Sequence, residues 1–282
     1  MTSPKALLKA WNLRPKKRLG QHFLVDPSTA DLIARHTRIT SEDTVIEIGA
    51  GLGALTIPLA RMAARVYAVE KDSQLTQLLK TELLVHNLTN VQIIEQNILN
   101  VDLQELIQKS DRPLIVTGNL PYNISSQVIV QLIEARRLVK HAILMFQKEL
   151  ARRITAKPGK KDYGRLTVML AYCADIKSIA TVNASLFYPE PKVDSEVVEI
   201  NFNVNRQYPP HDEVMLFQVI KAAFGNRRKT LKNALSISGL QIEPLMAQQA
   251  LRAAGIDPGR RAETLDAAEF VALQISLSQA AQ

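Results

Sequence analysis

Short runs of β-branched and aliphatic residues alternate with helical patterns along the first two-thirds of the chain. The runs predict strands at residues 44–48, 66–69, 91–94, 114–117, 142–146, 176–180 and 197–202. Residues 74–85 carry leucines at helical spacing, and Asp72 is placed to cap that helix. Strands that alternate with helices predict a mostly parallel, doubly wound α/β sheet. No long helix separates the last two strands, so we expect an antiparallel pair at one edge.

The pattern changes after the double proline at residues 209–210. From there the sequence predicts only helices, at residues 212–223, 228–235, 244–254 and 266–277. The last of these begins with Asp266-x-x-Glu269, the pattern of a capping box. We therefore expect two domains, an α/β domain over residues 1–207 and a small all-helical domain over residues 208–282.

Composition limits the classes of protein to consider. The single cysteine, Cys173, excludes an internal disulfide, and the five histidines lie at no metal-ligand spacing. The chain has no apolar run of about eighteen residues, and no signal-peptide pattern follows its basic N-terminus. From this we expect a cytoplasmic protein, a monomer without membrane contact and without a metal ion.

The net charge of +8 is concentrated in three basic stretches. Residues 1–40 carry a net charge of +6, residues 148–165 carry +5, and residues 219–235 carry +5 with no acidic residue among them. The rest of the chain is correspondingly negative. Such segregation favours a polyanion as partner, although unrelated solvated surfaces are the plain alternative.

A glycine-rich turn follows the first predicted strand. Gly49 and Gly51 belong to the sequence Glu-Ile-Gly-Ala-Gly-Leu-Gly-Ala, which permits a tight turn and lets a ligand approach the backbone. Glu70 ends the second strand, where an acidic side chain is placed to bind ribose hydroxyls. The pattern predicts an adenosine-containing ligand, and at this point an NAD enzyme is as consistent with it as a methyltransferase.

The fourth strand ends in a loop that narrows the chemistry. Asn119-Leu120-Pro121-Tyr122 places an amide, a stiff turn and an aromatic ring at the carboxyl edge of the sheet. The adenine amino nitrogen is a poor nucleophile, and a site can activate it by accepting hydrogen bonds from its N–H groups. The Asn119 oxygen and a backbone carbonyl before Pro121 are suitable acceptors, and Tyr122 offers a stacking face for the base. Hydride transfer has no use for such a loop.

The sequence resembles the ribosomal RNA adenine N6,N6-dimethyltransferases of the KsgA type. The resemblance runs from about residue 14 to residue 270. Its motifs are KRLGQHFL at residues 17–24, the glycine turn, NLPYNIS at 119–125, QKE at 147–149, YGRL at 163–166, FxPxPKVxS at 187–195 and RRK at 227–229. It implies a class I, Rossmann-like methyltransferase that dimethylates two adjacent adenines near the 3′ end of 16S rRNA in the small ribosomal subunit.

The resemblance also assigns residues to the cofactor, S-adenosyl-L-methionine. It implies cofactor-binding roles for the glycine turn with Gly49 and Gly51, and for His22, Leu24, Glu70 and Asn119. One position departs from the family pattern, because Asn97 stands where the family usually has an aspartate that binds the cofactor adenine. An amide oxygen can accept the same bond without the assistance of charge, so we expect somewhat weaker cofactor binding.

Further residues are expected to contact the RNA. The resemblance makes Phe187 a second aromatic wall around the target base, with a buried core phenylalanine as the alternative. Arg228, Lys229 and Lys232 fall in a stretch predicted to be helical, where Arg228 and Lys232 would lie one turn apart and contact phosphates. Arg227 would lie off that stripe, and a solvated helix surface is the alternative.

Other functions stay open at lower weight. A resistance methyltransferase of the Erm type, acting on large-subunit rRNA, shares the Asn-x-Pro-Tyr loop. A non-catalytic ribosome assembly factor would share the fold, but intact Gly49, Glu70, Asn119 and Tyr122 argue against it. An NAD-dependent oxidoreductase lacks support because the sequence shows no hydride-handling site.

Overall fold

The computed structural model describes residues 3–108, 112–202, 204 and 207–280. The strands are β1 (Phe23–Leu24), β2 (Thr44–Ile48), β3 (Arg65–Glu70), β4 (Val91–Glu95), β5 (Leu114–Asn119), β6 (Val139–Gln147), β7 (Asp175–Val182), β8 (Phe187–Tyr188) and β9 (Ser195–Asn201). The helices are α1 (Pro4–Ala10), α2 (Pro27–His36), α3 (Thr56–Ala60), α4 (Ser73–Val85), α5 (Leu103–Ile107), α6 (Ser125–Glu134), α7 (Lys148–Ile154), α8 (Arg165–Cys173), α9 (Glu213–Gly225), α10 (Leu231–Ser236), α11 (Pro244–Ala253) and α12 (Ala267–Ala280).

The chain forms two compact units. The first contains the described residues up to Ala151 together with those from Ile176 to Phe202, and the second contains Arg152–Asp175 and the described residues from Val204 onward. Among the described helices, none combines the length and apolar character required to span a membrane.

The first unit is built on a seven-stranded sheet in the order β4-β3-β2-β5-β6-β9-β7. β2 pairs in parallel with β3 on one side and with β5 on the other, and β6 continues the parallel set. β9 runs antiparallel to β6, and β9 and β7 occupy one edge. The chain adds β3 and β4 on one side of β2, and β5 and β6 on the other. The carboxyl end of β2 therefore opens into the crevice where doubly wound sheets bind ligands.

Burial explains why these segments form a sheet. Every residue of β2 is buried, as expected for a central strand covered on both faces. On one side α4 contributes Leu79 and Leu83 to a cluster with Ala68 of β3. On the other, Ile33 of α2 and Leu59 of α3 belong to a second cluster. Asp72 caps α4, as predicted, by accepting a hydrogen bond from the Gln74 N–H at 3.2 Å.

Each predicted strand overlaps an observed one, with ends that differ by up to three residues. Two short strands were not predicted. β1 and β8 pair antiparallel, with Phe23 opposite Tyr188 and Leu24 opposite Phe187. Two residues are too few to show an alternating pattern, so the sequence carries no periodic signal for this small sheet.

The second unit is helical around α8 to α12. The predicted capping box at the start of α12 is confirmed: the Glu269 N–H donates to Asp266 at 2.8 Å, and the Asp266 N–H donates to Glu269 at 3.0 Å. Asp212 likewise caps α9 by accepting from the Met215 N–H at 3.0 Å.

The division of the chain differs from the single boundary expected near residue 208, because Arg152–Asp175 belong to the second unit. α8 packs against α9 and α12. The Tyr163 hydroxyl donates to the Leu265 carbonyl at 2.8 Å, and the Gly159 N–H donates to the Glu263 carbonyl at 2.7 Å. These contacts are distant in sequence, so no change in composition announces them.

The start of α10 corrects another expectation. A helix was predicted from residue 228, but α10 begins at Leu231 with Thr230 as its N-cap residue. The Lys229 N–H closes a turn by donating to the Asn226 carbonyl at 2.8 Å. Arg228 and Lys229 therefore precede the helix, and the expected stripe one turn apart with Lys232 is wrong. Helical periodicity is read from the spacing of apolar residues. A run of basic residues contains none, so the sequence cannot show where the helix begins.

Candidate active site

A cavity opens at the carboxyl ends of β2, β3 and β5 in the first unit. It brings together every residue that the sequence assigned to the cofactor or to catalysis. Those residues are His22, Leu24, Gly49, Gly51, Glu70, Asn97, Asn119 and Tyr122. They come from five separate stretches of chain, and the strand order places their ends side by side.

The glycine turn forms one wall of this cavity. Gly49 has φ of 77° and Gly51 has φ of 54°, in the left-handed region that glycine adopts without strain. The N–H groups of Gly49 and Ala50 both donate to the Val69 carbonyl, at 2.9 and 3.2 Å, which fixes the turn against β3. A Cβ at Gly49 would lie 3.3 Å from the Asn119 carbonyl oxygen. Glycine is thus required both by conformation and by the close approach of two loops.

Glu70 lies at the end of β3 and is held by main-chain donors. Its Oε2 accepts from the Gly51 N–H at 2.9 Å, and its Oε1 accepts from the Asp72 N–H at 2.8 Å. Burial raises the pKa of the Glu70 carboxyl, against the effect of these two hydrogen bonds. Each carboxyl oxygen keeps a lone pair, so the group can accept further bonds from a diol while it supports the glycine turn.

Glu47, two residues before Gly49, was not predicted as a site residue. It lines the cavity and is 2% exposed, and its Oε2 is buried with no hydrogen-bond partner in the described part of the chain. Burial raises the pKa of this carboxyl to about 8, and the neighbouring Glu70 adds to the shift. An acidic residue inside the otherwise apolar run of β2 was the signal that could have identified it.

Asn97 lines the cavity after β4, and its side-chain oxygen also accepts from the Leu99 N–H at 3.3 Å. This bond orients the amide, because a backbone N–H can pair only with the oxygen. Asn97 therefore presents an acceptor, although a neutral one, at the position where the family pattern has an aspartate.

Asn119 ends β5 and is oriented by the N-terminal part of the chain. Its Nδ2 donates to the His22 carbonyl at 2.9 Å. Since a carbonyl can only accept, this bond assigns the nitrogen to His22 and leaves Oδ1 as the acceptor available to a substrate. The next peptide is also fixed, because the Leu120 N–H donates to the Met145 carbonyl at 3.2 Å.

Tyr122 is held at its hydroxyl and along its ring. The hydroxyl lies 3.1 Å from the hydroxyl of Ser195, which is completely buried at the start of β9. The ring stacks on His22 with centroids 5.6 Å apart and planes inclined by 24°. Burial raises the Tyr122 pKa, so the phenol is neutral at physiological pH and serves as a stacking surface.

Phe187 does not occupy the position expected for a second aromatic wall. It is 3% exposed and belongs to a core cluster with Met145 and Val197. Its pairing with Leu24 in the β1–β8 ladder directs the side chain into that core. In this conformation Phe187 supports the cavity from behind, which is the alternative that the sequence had left open.

The basic residues expected to contact RNA lie in the second unit. Arg228 and Lys229 are exposed in the turn before α10, and Lys232 is half-buried on the helix. Arg227 is directed back to the chain, where its guanidinium donates to the carbonyls of Lys161 and Tyr163, the latter at 3.1 Å. This contact joins two of the three basic stretches seen in the sequence, residues 148–165 and 219–235.

The sheet order, with the antiparallel β9 between β6 and β7, and the cavity at the carboxyl ends of the parallel strands define the class I methyltransferase fold. The model of the family described as "Ribosomal RNA adenine dimethylase" matches residues 12–279. This chain belongs to that family.

Individual relatives agree with the family match. The "Ribosomal RNA small subunit methyltransferase A" of Desulforapulum autotrophicum is 49% identical over 277 residues, covering 98% of this chain and 97% of that protein. The protein of the same description from Geobacillus thermodenitrificans is 40% identical, covering 97% and 94%.

Two solved structures share the fold over nearly the whole chain. A dimethyladenosine transferase from Plasmodium falciparum superposes with a TM-score of 0.77 at 27% identity, covering 92% of this chain and 98% of that one. The 23S rRNA methyltransferase ErmE gives 0.65 at 25% identity, covering 91% and 100%.

Proposed function

We propose that this chain transfers methyl groups from S-adenosyl-L-methionine to the N6 amino groups of two adjacent adenines near the 3′ end of 16S rRNA. The observation that carries the proposal is the orientation of Asn119. Its nitrogen is bound to the His22 carbonyl, so its oxygen is the acceptor that remains for a ligand in the cavity that Asn119 lines. The match to the dimethylase family and the relatives described as small-subunit methyltransferases support the substrate.

The cavity fits the proposed cofactor. The glycine turn lets a ligand lie against the backbone, and Glu70 would accept hydrogen bonds from the ribose hydroxyls. The side-chain oxygen of Asn97 would accept a hydrogen bond from the adenine amino group. The unpaired, buried Oε2 of Glu47 is suited to a cationic donor, as the amino-acid end of S-adenosylmethionine would supply. When bound, the cofactor supplies a methyl group on a positively charged sulfur.

The residues at the end of β5 would prepare the adenine. Asn119 Oδ1 and the Leu120 carbonyl would accept the two amino hydrogens, which draws the nitrogen lone pair out of conjugation with the ring. Tyr122 would stack on the base and hold it in line with the methyl group. No strong general base is required, so the contribution of the protein is alignment and electrostatics.

We also propose that a basic surface of the second unit binds rRNA phosphates. Its core is the exposed turn with Arg228 and Lys229, extended by Lys232 on α10 and by the exposed Lys160 and Lys161. Arg227 would act differently, because its bonds to the carbonyls at 161 and 163 hold the two basic segments together. Phosphate contacts of this kind carry little sequence information and depend strongly on salt.

Binding of small-subunit particles tests that surface. Arg228→Gln and Lys229→Gln should each weaken binding and lower the log–log salt slope by about 0.7–0.9. Lys177→Gln, on β7 of the first unit, is the control. An unchanged slope would identify the turn as ordinary solvated surface.

The reaction itself is tested with purified components. Small-subunit particles from cells that lack the modification, incubated with the protein and S-adenosylmethionine, should yield N6,N6-dimethyladenosine that primer extension maps to two adjacent positions. Large-subunit particles serve as the second substrate. Methylation of these alone would favour an Erm-type enzyme, and binding without methylation of either would favour an assembly factor. We also propose that the protein is a monomer and acts in the cytoplasm. Sedimentation of the isolated protein would test its oligomeric state.

A further inference from the structure

Residues 16–24 are here called the strap, and Arg18 to Leu24 of this segment line one side of the ligand cavity. The strap ends in β1, where Phe23 and Leu24 are buried and pair with β8. Before β1, two side chains of the strap bind a single carboxylate, that of Asp72.

Asp72 receives two side chains of the strap. Lys16 Nζ donates to Oδ1 at 2.7 Å, and Gln21 Nε2 donates to Oδ2 at 2.8 Å. Gln21 in turn accepts from the Lys16 N–H at 2.8 Å, which closes the strap into a loop around the carboxylate. The Asp72 side chain is only 3% exposed, and the Lys16 side chain is 30% exposed, so solvent screens the ion pair weakly.

Asp72 is also connected to Glu70, the residue proposed to bind the ribose. The Asp72 N–H donates to Glu70, whose other oxygen holds the Gly51 N–H. Burial opposes ionisation of Asp72, but the hydrogen bonds from Lys16 and Gln21 prevail and hold its pKa below the usual range. Asp72 is therefore charged at neutral pH, and its position is coupled to the glycine turn and to the strap.

The two ends of the strap differ in how readily they can open. At the β1 end, release would break backbone pairing, expose two buried apolar side chains, and lose the bonds of His22 to Asn119 and to the Pro189 carbonyl. At Asp72, release requires that the side chains of Lys16 and Gln21 exchange a carboxylate for water, while Leu7 and Leu8 of α1 stay packed on α4. Two charge-assisted hydrogen bonds are a weaker anchor than the backbone pairing and buried apolar side chains at β1.

We propose that Asp72 is a positioning residue that latches the strap over the bound cofactor and sets the rate at which the cofactor exchanges. The inference rests on the proposed function, because dimethylation needs a fresh cofactor for every methyl group. Opening at Asp72, between the anchors at α1 and β1, lets the spent cofactor leave while the bond between His22 and Asn119 is kept.

The test is the dissociation rate of radiolabelled S-adenosylhomocysteine from the full chain, chased with unlabelled ligand. Lys16→Met removes the ammonium group and keeps the aliphatic stem. Asp72→Asn removes the charge and keeps a residue that caps α4 as well as aspartate does. Each variant should release the ligand about tenfold faster, and the double variant should release it no faster than the single ones, since both break one interaction.

Matched controls separate the latch from loss of charge or of a helix cap. Lys17→Met removes an exposed lysine next to Lys16, and Asp102→Asn alters the cap of α5, whose side chain accepts from the Gln104 N–H at 2.7 Å. Both should release the ligand at the wild-type rate. A second readout needs no ligand: trypsin should cleave Asp72→Asn after Arg18 several-fold faster than it cleaves the wild type.

Rates within twofold of wild type for Lys16→Met and Asp72→Asn, with unchanged cleavage, would overturn the latch and leave the proposed function standing. A wild-type chain that binds neither S-adenosylmethionine nor its demethylated product would overturn both. Faster release in the controls as well would also overturn the latch, because the effect would then belong to charge or helix capping in general.

Discussion

The two ends of the ligand cavity are organised differently. At the end formed by β2 and β3, the carboxylate of Glu70 is held by main-chain N–H groups, those of Gly51 and Asp72. At the end formed by β5, polar side chains are held by segments distant in sequence, as Asn119 is by His22 and Tyr122 is by Ser195. The bonds that hold Glu70 come from the strand-to-helix turns after β2 and β3, whereas those that hold Asn119 and Tyr122 come from His22 and Ser195.

This difference suggests a division of labour. A site made of backbone donors and buried carboxylates suits a ligand that binds in the same way in every turnover. A site made of cross-linked side chains can align a base that enters and leaves with a large RNA. Substitutions at the first end should therefore change cofactor affinity, and substitutions at the second should change the rate of methyl transfer.

The largest effect is expected in the free energy of unfolding of the protein, which should depend on pH through Glu47 at the cofactor end. Burial raises the pKa of Glu47 from 4.5 to about 8, so between these values the folded chain holds a proton that the unfolded chain releases. Stability attributable to this residue is present below pH 4.5 and is lost as the pH rises towards 8. The advantage of Glu47→Gln over the wild type should grow across that window by roughly 4 kcal/mol.

Urea unfolding of both proteins at several pH values measures this difference. Measurements below pH 4.5 provide the internal reference, because there the Glu47 carboxyl is protonated in both the folded and the unfolded chain and the difference should no longer change with pH. A constant difference for Glu47→Gln as well would show that its carboxyl is not buried in solution.

At the other end, Asn119→Ala should reduce the single-turnover rate of methylation by about 10²–10³, the typical loss for a positioned group that stabilises the transition state. Gln127→Ala, an exposed amide on α6, is the matched control and should retain most of the rate. Equal losses in the two variants would indicate that the segment after β5 as a whole, and not the Asn119 oxygen, is responsible.

Tyr122 allows stacking and hydrogen bonding to be separated. Tyr122→Ala should lose stacking worth about 1–3 kcal/mol in the single-turnover rate. Tyr122→Phe keeps the ring and loses only the bond to Ser195, so its rate should fall a few-fold, and Ser195→Ala should match it. A Phe variant as slow as the Ala variant would contradict a stacking role.

The smallest effect is a gain. Asn97→Asp restores the family's usual acid, and a charged acceptor should tighten S-adenosylmethionine binding by about 1 kcal/mol in calorimetry. The methylation rate at saturating cofactor should not change. Unchanged or weaker binding would remove Asn97 from the adenine site.

Much of the cofactor end could be predicted from the sequence, because its residues lie at the ends of strands whose apolar runs are easily seen. Gly49, Gly51 and Glu70 follow such runs directly, and the parallel order then places them together. Asn119 and Tyr122 were predicted for the same reason. Their partners His22 and Ser195 lie far away in sequence, so the hydrogen bonds that orient the site were beyond any local pattern.

The failed expectations share a physical cause. Arg228 and Lys229 were assigned to a helix, but helical periodicity comes from residues that face the core. Exposed charged residues do not face the core, so they show no such periodicity. Phe187 was expected at the cavity, but whether a phenylalanine packs inward depends on the pairing of a two-residue strand. Residues 152–175 were placed with the sheet, whereas α8 packs with helices that follow it by more than forty positions.

The most direct test of the division of labour compares Glu70→Gln with Tyr122→Ala in two assays on the same preparations. We predict that Glu70→Gln weakens S-adenosylmethionine binding about tenfold or more, because an oxygen acceptor is replaced by an amide nitrogen that can only donate, and retains most of the single-turnover rate at saturating cofactor. Tyr122→Ala should bind cofactor like the wild type and methylate small-subunit particles about tenfold or more slowly. If both substitutions weakened binding and slowed transfer to the same degree, the two ends would form one indivisible site and the account would be contradicted.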